Sequence, residues 1–229
     1  PPIALGQLLS RESELRLDRR LQGKCHAASD RIYDRAMADP GHPPGECDVV
    51  VVGAGIVGLA TARELALRHD GIRIAVLERE ASIAAHQTGR TSGVIHAGVY
   101  YAPGTLKARL CRRGAELMID YCEARSLPLE LCGKVVVALD ESELPRLDEL
   151  ERRSVANGVP GLRRVDAAGL RELEPNAAGI AALHSPRSGI TDFAAVAQAL
   201  AADLRAAGGT VRLGADVVRV DPGGRPGVE

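Results

Sequence analysis

A chain of 229 residues, 45% hydrophobic and 26% charged with a formal net charge of −1, is long and apolar enough to bury a sizeable core. The near-neutral balance, without a long run of one sign, excludes the electrostatic footprint of a nucleic-acid binder. No apolar run approaches the roughly 18 residues that span a bilayer, so the chain is expected to be soluble or at most peripheral to a membrane.

Five cysteines, an odd number with no C-x-x-C pair, indicate neither a disulfide framework nor a zinc site; reduced thiols in an intracellular protein are expected, and no metal ligand set is assigned. Residues 1–46 carry a weak helical pattern followed by the linker "ADPGHPPGE", and they read as an extension outside the core. Their mixture of acids with arginines fits neither a secretory signal nor a transit peptide.

From Asp48 the pattern sharpens. "DVVVV" is a short β-branched run of the kind expected for a strand covered on both faces, hence for a parallel sheet. A helix is predicted over residues 56–69 and a second strand over 72–77, which completes one βαβ unit. Thr105 is expected to cap a helix whose apolar side includes Leu106, Leu110, Leu117, Met118, Tyr121 and Cys122.

Further strands are predicted at 134–139, 180–183, 210–213 and 217–220. Helices are predicted over 141–157, with Leu144, Leu147 and Leu150 on one side, over 166–173, and over 193–207, where Asp192 is the cap and Gly208-Gly209 the stop. There is no internal repeat.

The chemistry concentrates in two places. "VVVVGAGIVGLATAREL" sets Gly53, Gly55 and Gly58 in G-x-G-x-x-G spacing where a strand gives way to a helix. The first glycine permits the tight turn, the second lets a pyrophosphate approach the backbone, and the third lets helix and strand pack closely. The helix N-terminus, beginning at Ile56, offers N–H groups and a positive dipole end to phosphates. Glu78, 20 residues past Gly58 at the end of the second strand, can accept hydrogen bonds from ribose hydroxyls. An acid at this strand tip argues against a ribose 2'-phosphate.

The second place is "HQTGRTSGVIHAGVYY", residues 86–101. A nicotinamide enzyme would usually continue into another strand and helix. This chain instead enters a Gly/Ser/Thr/His segment in which Gly89, Gly93 and Gly98 let backbone amides approach the heteroatoms of a flavin ring. FAD is therefore the expected cofactor.

At this point the sequence resembles the FAD-dependent oxidoreductases of the D-amino-acid oxidase superfamily, and within it the L-2-hydroxyglutarate dehydrogenase/oxidase family. The likeness runs from about Asp48 to Val220 and rests on the glycine loop, "VLERE", "HQTGRTSGVIHAGVYYAPGTLKARLC", "CGKVVVAL" and "SPRSGITDF". The third of these segments is the most specific. It keeps His86, Thr88, Gly89, Ser92, Gly93, His96, Gly98, Tyr100, Tyr101, Pro103, Gly104 and Lys107, and departs at Thr91, where the family pattern has Asn.

The resemblance implies an α/β fold: a Rossmann-like FAD-binding domain with part of a second α+β substrate domain. In this reading the FAD-binding βαβ unit covers 48–78, the flavin loop 86–104, and the start of the substrate domain about 127–190. It further implies oxidation of L-2-hydroxyglutarate to 2-oxoglutarate by hydride transfer to flavin N5, with a base for the hydroxyl proton and cations for the two carboxylates. Electrons would pass to a quinone chain or to oxygen. The compartment would be cytoplasmic or peripheral at the inner membrane in a bacterium, and mitochondrial in a eukaryote.

The expected cofactor contacts are Gly53, Gly55, Ile56, Gly58, Glu78, Thr88, Gly89, Ser92, Gly93 and His96. His96 is also the catalytic candidate; it either attaches the flavin covalently, as in related amine oxidases, or hydrogen-bonds beside it, the preferred reading. His86 is expected to order the loop, Tyr100 and Tyr101 to pack, and Lys107 and Arg109 to be solvated. A sarcosine-oxidase-like or glycerol-3-phosphate-dehydrogenase-like enzyme is the competing reading within the superfamily. The ends of the sequence read as those of a fragment, which alone is expected to bind FAD weakly and to turn over poorly.

Overall fold

The computed structural model describes residues 47–220, so the helical pattern and linker read in residues 1–46 lie outside it. In chain order the strands and helices are β1 (Val49–Val52), α1 (Ile56–Arg68), β2 (Ile74–Leu77), β3 (Val94–Ile95), α2 (Leu106–Ala124), β4 (Leu129–Glu130) and β5 (Lys134–Ala138). They continue with α3 (Leu144–Ala156), β6 (Arg163–Asp166), α4 (Ala167–Leu173), β7 (Ala181–Ser185), β8 (Gly189–Thr191), α5 (Phe193–Ala206) and β9 (Thr210–Arg212).

Three small sheets organise these elements. The first is parallel, in the order β1-β2-β9, with Val49 opposite Ile74 and Ala75 opposite Thr210. The α/β class expected from the glycine-loop βαβ unit is therefore the observed one. β2 lies between two strands and is buried at all four positions, as a central parallel strand must be. Leu59 and Ala62 of α1 join Val196, Ala197, Leu200, Ala201 and Leu204 of α5 over Ile74 and Val76 in one core.

β1 corrects the sequence reading. Among the described residues it occupies the sheet edge, and whereas Val51 packs into the core, Val52 is 59% exposed. An apolar run alone does not tell a strand covered on both faces from one covered on a single face.

The other two sheets are antiparallel. One has the order β3-β8-β4 and the other β5-β7-β6, the latter covered by Leu144, Leu147 and Leu150 of α3 as their spacing foretold. Four strands escaped the sequence reading: β3, β4, β6 and β8. Residues 141–157 are not one helix, since Glu141–Glu143 forms a 3-10 turn ahead of α3.

Two further expectations fail. Residues 217–220 form no strand, and Val218 is 86% exposed. The buried side of α2 is the predicted one only in part: Cys122 is buried, and Met118 and Tyr121 pack against the core as expected, but the three leucines do not. Leu106, Leu110 and Leu117 are largely exposed, whereas Ala108, Ala115, Ile119 and Cys122 are buried. At about 100° per residue the three leucines lie on the side of the helix opposite Ala108, Ala115, Ile119 and Cys122. On the buried side Ala115 and Ile119 cluster with Ile95, against which Met118, Leu129 and Phe193 pack.

The predicted caps are present. The Thr105 hydroxyl accepts from the Ala108 N–H at 3.2 Å, and Asp192 Oδ1 accepts from the Ala194 and Ala195 N–H groups at 2.8 and 3.1 Å.

Candidate functional site

The glycine turn takes its shape from three local demands. Gly53 has φ +101°, a left-handed conformation that side chains resist, and its N–H donates to the Leu77 carbonyl at 2.7 Å, tying the turn to β2. At Gly58 a methyl group would overlap the Gly53 carbonyl oxygen, so only glycine allows α1 to sit this close to the end of β1. At Gly55 a methyl would stand 3.3 Å from Thr88 Oγ1, where it would crowd the loop above.

Glu78 closes the turn from the other side. Its Oε2 accepts from the Ala54 N–H at 2.7 Å and its Oε1 from the Glu80 N–H at 3.0 Å. Each carboxylate oxygen retains acceptor capacity for a second donor. The strand tip is itself fixed, because the Glu78 N–H donates to Arg212 and its carbonyl accepts from Ala215, both at 2.8 Å.

α1 begins at Gly55 with no side-chain cap of the usual kind and no acid in its first turn. The Ile56 N–H instead donates to Thr88 Oγ1 at 3.1 Å, across 32 residues. Thr88, proposed from the sequence as a cofactor contact, thus also pins the loop to the helix start, and its hydroxyl proton remains available to an anion.

The loop after β2 is a built structure. Thr88–Arg90 is a 3-10 turn, and a methyl on Gly89 would stand 2.5 Å from the Ala84 carbonyl. Gly93, at φ +76°, lies against β8, where the Thr191 N–H donates to its carbonyl at 2.9 Å. The departure at Thr91 is accommodated: its hydroxyl accepts from the Gly93 N–H at 3.4 Å. Ser92 is exposed. An open cleft lined by His86, Gln87, Arg90 and Thr91 lies at the start of this loop, and His86 Nε2 sits 2.8 Å from Glu80 Oε1. The Glu80 carboxyl is held below its ordinary pKa by its hydrogen bonds to His86 and Arg79.

His96 follows β3, with its side chain largely open and its carbonyl accepting from the Cys111 thiol at 3.2 Å. Partial burial, and then the charge of Lys134, push the imidazole pKa below its ordinary value. The imidazole is therefore neutral near pH 7 and able to accept a proton. Lys107 and Arg109 are exposed, the former 4.9 Å over the Tyr101 ring.

The sequence reading missed Lys134, whose ammonium lies 4.5 Å over the Tyr100 ring. The signal available was a charged residue opening the apolar run "VVVA" of β5. It also missed Asp203, a buried carboxylate on α5 that accepts from Arg63 Nε at 2.8 Å and Tyr121 OH at 2.9 Å, and that pairs with Arg125 at 2.5 Å.

A positive-φ glycine turn between a parallel strand and a helix, with a carboxylate at the next strand tip, defines a dinucleotide-binding α/β domain. The residues present fit FAD: phosphates have a helix start whose N-cap, Gly55, brings no side chain, beside the Thr88 hydroxyl that accepts from the Ile56 N–H, and ribose hydroxyls have the remaining lone pairs of Glu78. The family described as FAD dependent oxidoreductase matches residues 48–229, and the chain belongs to it.

Among curated relatives, the mitochondrial L-2-hydroxyglutarate dehydrogenase of Nematostella vectensis is 47% identical over 175 residues, covering 76% of this chain and 38% of the relative. The human mitochondrial enzyme of that name is 44% identical over 189 residues, covering 82% and 41%. The chain thus spans about two fifths of the length of these relatives. Among solved structures, the FAD-bound L-alpha-glycerophosphate oxidase of Mycoplasma pneumoniae superposes with a TM-score of 0.69 at 22% identity, over 78% of this chain and 50% of that one, a likeness of fold.

Proposed function

We propose that this chain forms the FAD-binding half of an enzyme that oxidises L-2-hydroxyglutarate to 2-oxoglutarate. The observation that carries the cofactor assignment is the Glu78 carboxylate clamped across the glycine turn, joined through Thr88 to the loop that follows. The substrate assignment is supported by the family pattern of residues 86–107 and by the 47% and 44% identity to relatives named for that activity.

In this reading Gly53, Gly55, Ile56 and Gly58 present backbone to the pyrophosphate, Glu78 takes the adenosine ribose hydroxyls, and Thr88, Gly89, Ser92, Gly93 and His96 face the remainder of the cofactor. FAD, when bound, supplies a two-electron acceptor for the hydride that leaves substrate C2. His96, neutral at physiological pH, takes the proton from the C2 hydroxyl as the carbonyl forms. Residues 127–190, with the antiparallel sheet β5-β7-β6, begin the substrate domain. Electrons pass onward to a quinone chain or to oxygen. The compartment is mitochondrial in a eukaryote, as in the names of the animal relatives, and in a bacterium is the cytoplasm or the face of the inner membrane. Among the described residues no helix is long and apolar enough to cross a membrane.

The test is anaerobic mixing of the full-length, FAD-loaded protein with L-2-hydroxyglutarate, sarcosine and glycerol 3-phosphate. Bleaching of the flavin by the first alone is expected. Bleaching by either of the others, with none by L-2-hydroxyglutarate, would reject the assignment in favour of the sarcosine-oxidase-like or glycerol-3-phosphate-dehydrogenase-like reading.

A further inference from the structure

Of the 29 lysines and arginines in the chain only three are lysines, at positions 24, 107 and 134. Both described lysines lie on the rings of consecutive tyrosines in the loop that ends at Tyr101: Lys134 over Tyr100 at 4.5 Å and Lys107 over Tyr101 at 4.9 Å. Lys107 is exposed, whereas Lys134 is half-buried.

The backbone sets Lys134 beside His96. Ile95 pairs with Gly189 in the β3-β8 ladder, and the neighbouring Ser188 carbonyl accepts from the Gly133 N–H at 2.9 Å. The residues after Ile95 and after Gly133 are therefore brought to one place, and the Lys134 charge is felt at the His96 imidazole. Among the described residues no carboxylate is paired with the Lys134 ammonium. This contrasts with Arg112 and Arg164, which are paired with Glu116 and with Asp148 and Glu151. A half-buried cation with no counter-charge among the described residues, held on a tyrosine face, is set for an incoming anion.

We infer that Lys134 binds a carboxylate of the substrate, setting the 2-hydroxy dicarboxylate beside His96. The inference rests on the function proposed above and names how this half of the site recognises the substrate class. Lys134 makes a salt bridge and takes no part in bond making.

The experiment uses the full-length holoprotein and its Lys134→Met, Lys134→Arg and Lys107→Met variants. Binding of 2-oxoglutarate to the resting protein is followed by calorimetry and by perturbation of the flavin spectrum, alongside KM and kcat. In K134M, loss of a charge-assisted pair should weaken 2-oxoglutarate binding and raise KM for L-2-hydroxyglutarate by about thirtyfold, with kcat within about threefold and FAD content unchanged. K134R should recover most of the affinity. K107M, which removes the matching contact on Tyr101, should change neither quantity by more than about threefold.

Unchanged affinity in K134M, an equal loss in K107M, or no dicarboxylate binding by the unmodified protein would overturn the inference. Tight 2-oxoglutarate binding that depends on Lys134, without turnover of L-2-hydroxyglutarate, would count against the proposed reaction and leave the inference standing.

Discussion

Ala54 and Glu78, 24 residues apart, are joined by a 2.7 Å hydrogen bond in which the Ala54 N–H donates to the Glu78 carboxylate. The residue proposed to hold the ribose thus also holds the glycine turn in shape. Glu78→Ala removes that bond and the one from the Glu80 N–H, each a charge-assisted contact of about 1.5–3 kcal/mol, together with the acceptors for the ribose. The expected result is FAD affinity lower by tenfold or more, read by flavin fluorescence titration, with a lower melting temperature of the apoprotein. Glu78→Gln keeps one acceptor oxygen and should fall between. An unchanged affinity in the alanine variant would remove Glu78 from the nucleotide site.

Gly53 and Gly58 should fail for different reasons. A methyl at Gly53 meets nothing within 4 Å, so Gly53→Ala is penalised by its φ of +101° alone, about 1–2 kcal/mol. A methyl at Gly58 collides with backbone that cannot swing aside, so Gly58→Ala should cost more, about 3 kcal/mol, and should separate α1 from β1. Urea unfolding of the two variants gives the order directly; G53A less stable than G58A would contradict it.

The same residues mark what a sequence can and cannot reveal. The turn was legible because its requirement is local: three glycines at fixed spacing, with an apolar run on each side. Thr105 and Asp192 were legible as caps for the same reason. β3, β4 and β8 were not, because strands of two or three residues exist only through partners far along the chain, as Val94 does opposite Ile190. On α2 the leucines stand out by their size, but the buried side runs through Ala108, Ala115, Ile119 and Cys122, where two of the four residues are small. Lys134 lies over Tyr100 next to a long-range link, the Gly133 N–H bound at the Ser188 carbonyl, that no spacing in the sequence encodes.

Asp203 ties α1, α2 and α5 together through Arg63, Tyr121 and Arg125, and its side chain is only 6% exposed. Asp203→Asn would leave Arg63 underpaired in the interior, so a loss of about 3 kcal/mol in urea unfolding is expected. Burial, and then the hydrogen bond to Asp203 and its charge, push the Tyr121 pKa from 10.0 to about 12. For a group whose folded pKa is raised, the contribution to stability is complete below the unfolded value and disappears as pH rises through the folded one. Stability should therefore decline between about pH 10 and 12, and Tyr121→Phe should flatten that limb while losing about 1 kcal/mol at pH 8 from the missing hydroxyl bond. An alkaline limb of the same slope in the phenylalanine variant would show that another group is responsible.

His96 carries the last prediction. Burial and the Lys134 charge depress its pKa below 6.5, so the imidazole remains an available base down to mildly acidic pH. If it takes the hydroxyl proton, kcat/KM for the full-length enzyme should hold steady through pH 7 and fall only as pH drops below 6.5, as the imidazole becomes protonated. Lys134→Met removes one of the two causes of the shift, and should move that acid limb upward toward the ordinary histidine value without reaching it, because burial persists. His96→Ala should abolish the limb and lower kcat by about 10²-fold or more, the usual contribution of a positioned base. Denaturing the holoprotein in acid separates the two roles left open for this residue: FAD released to the supernatant is expected, and flavin retained on the polypeptide would mean that His96 is a point of attachment and that the base lies elsewhere.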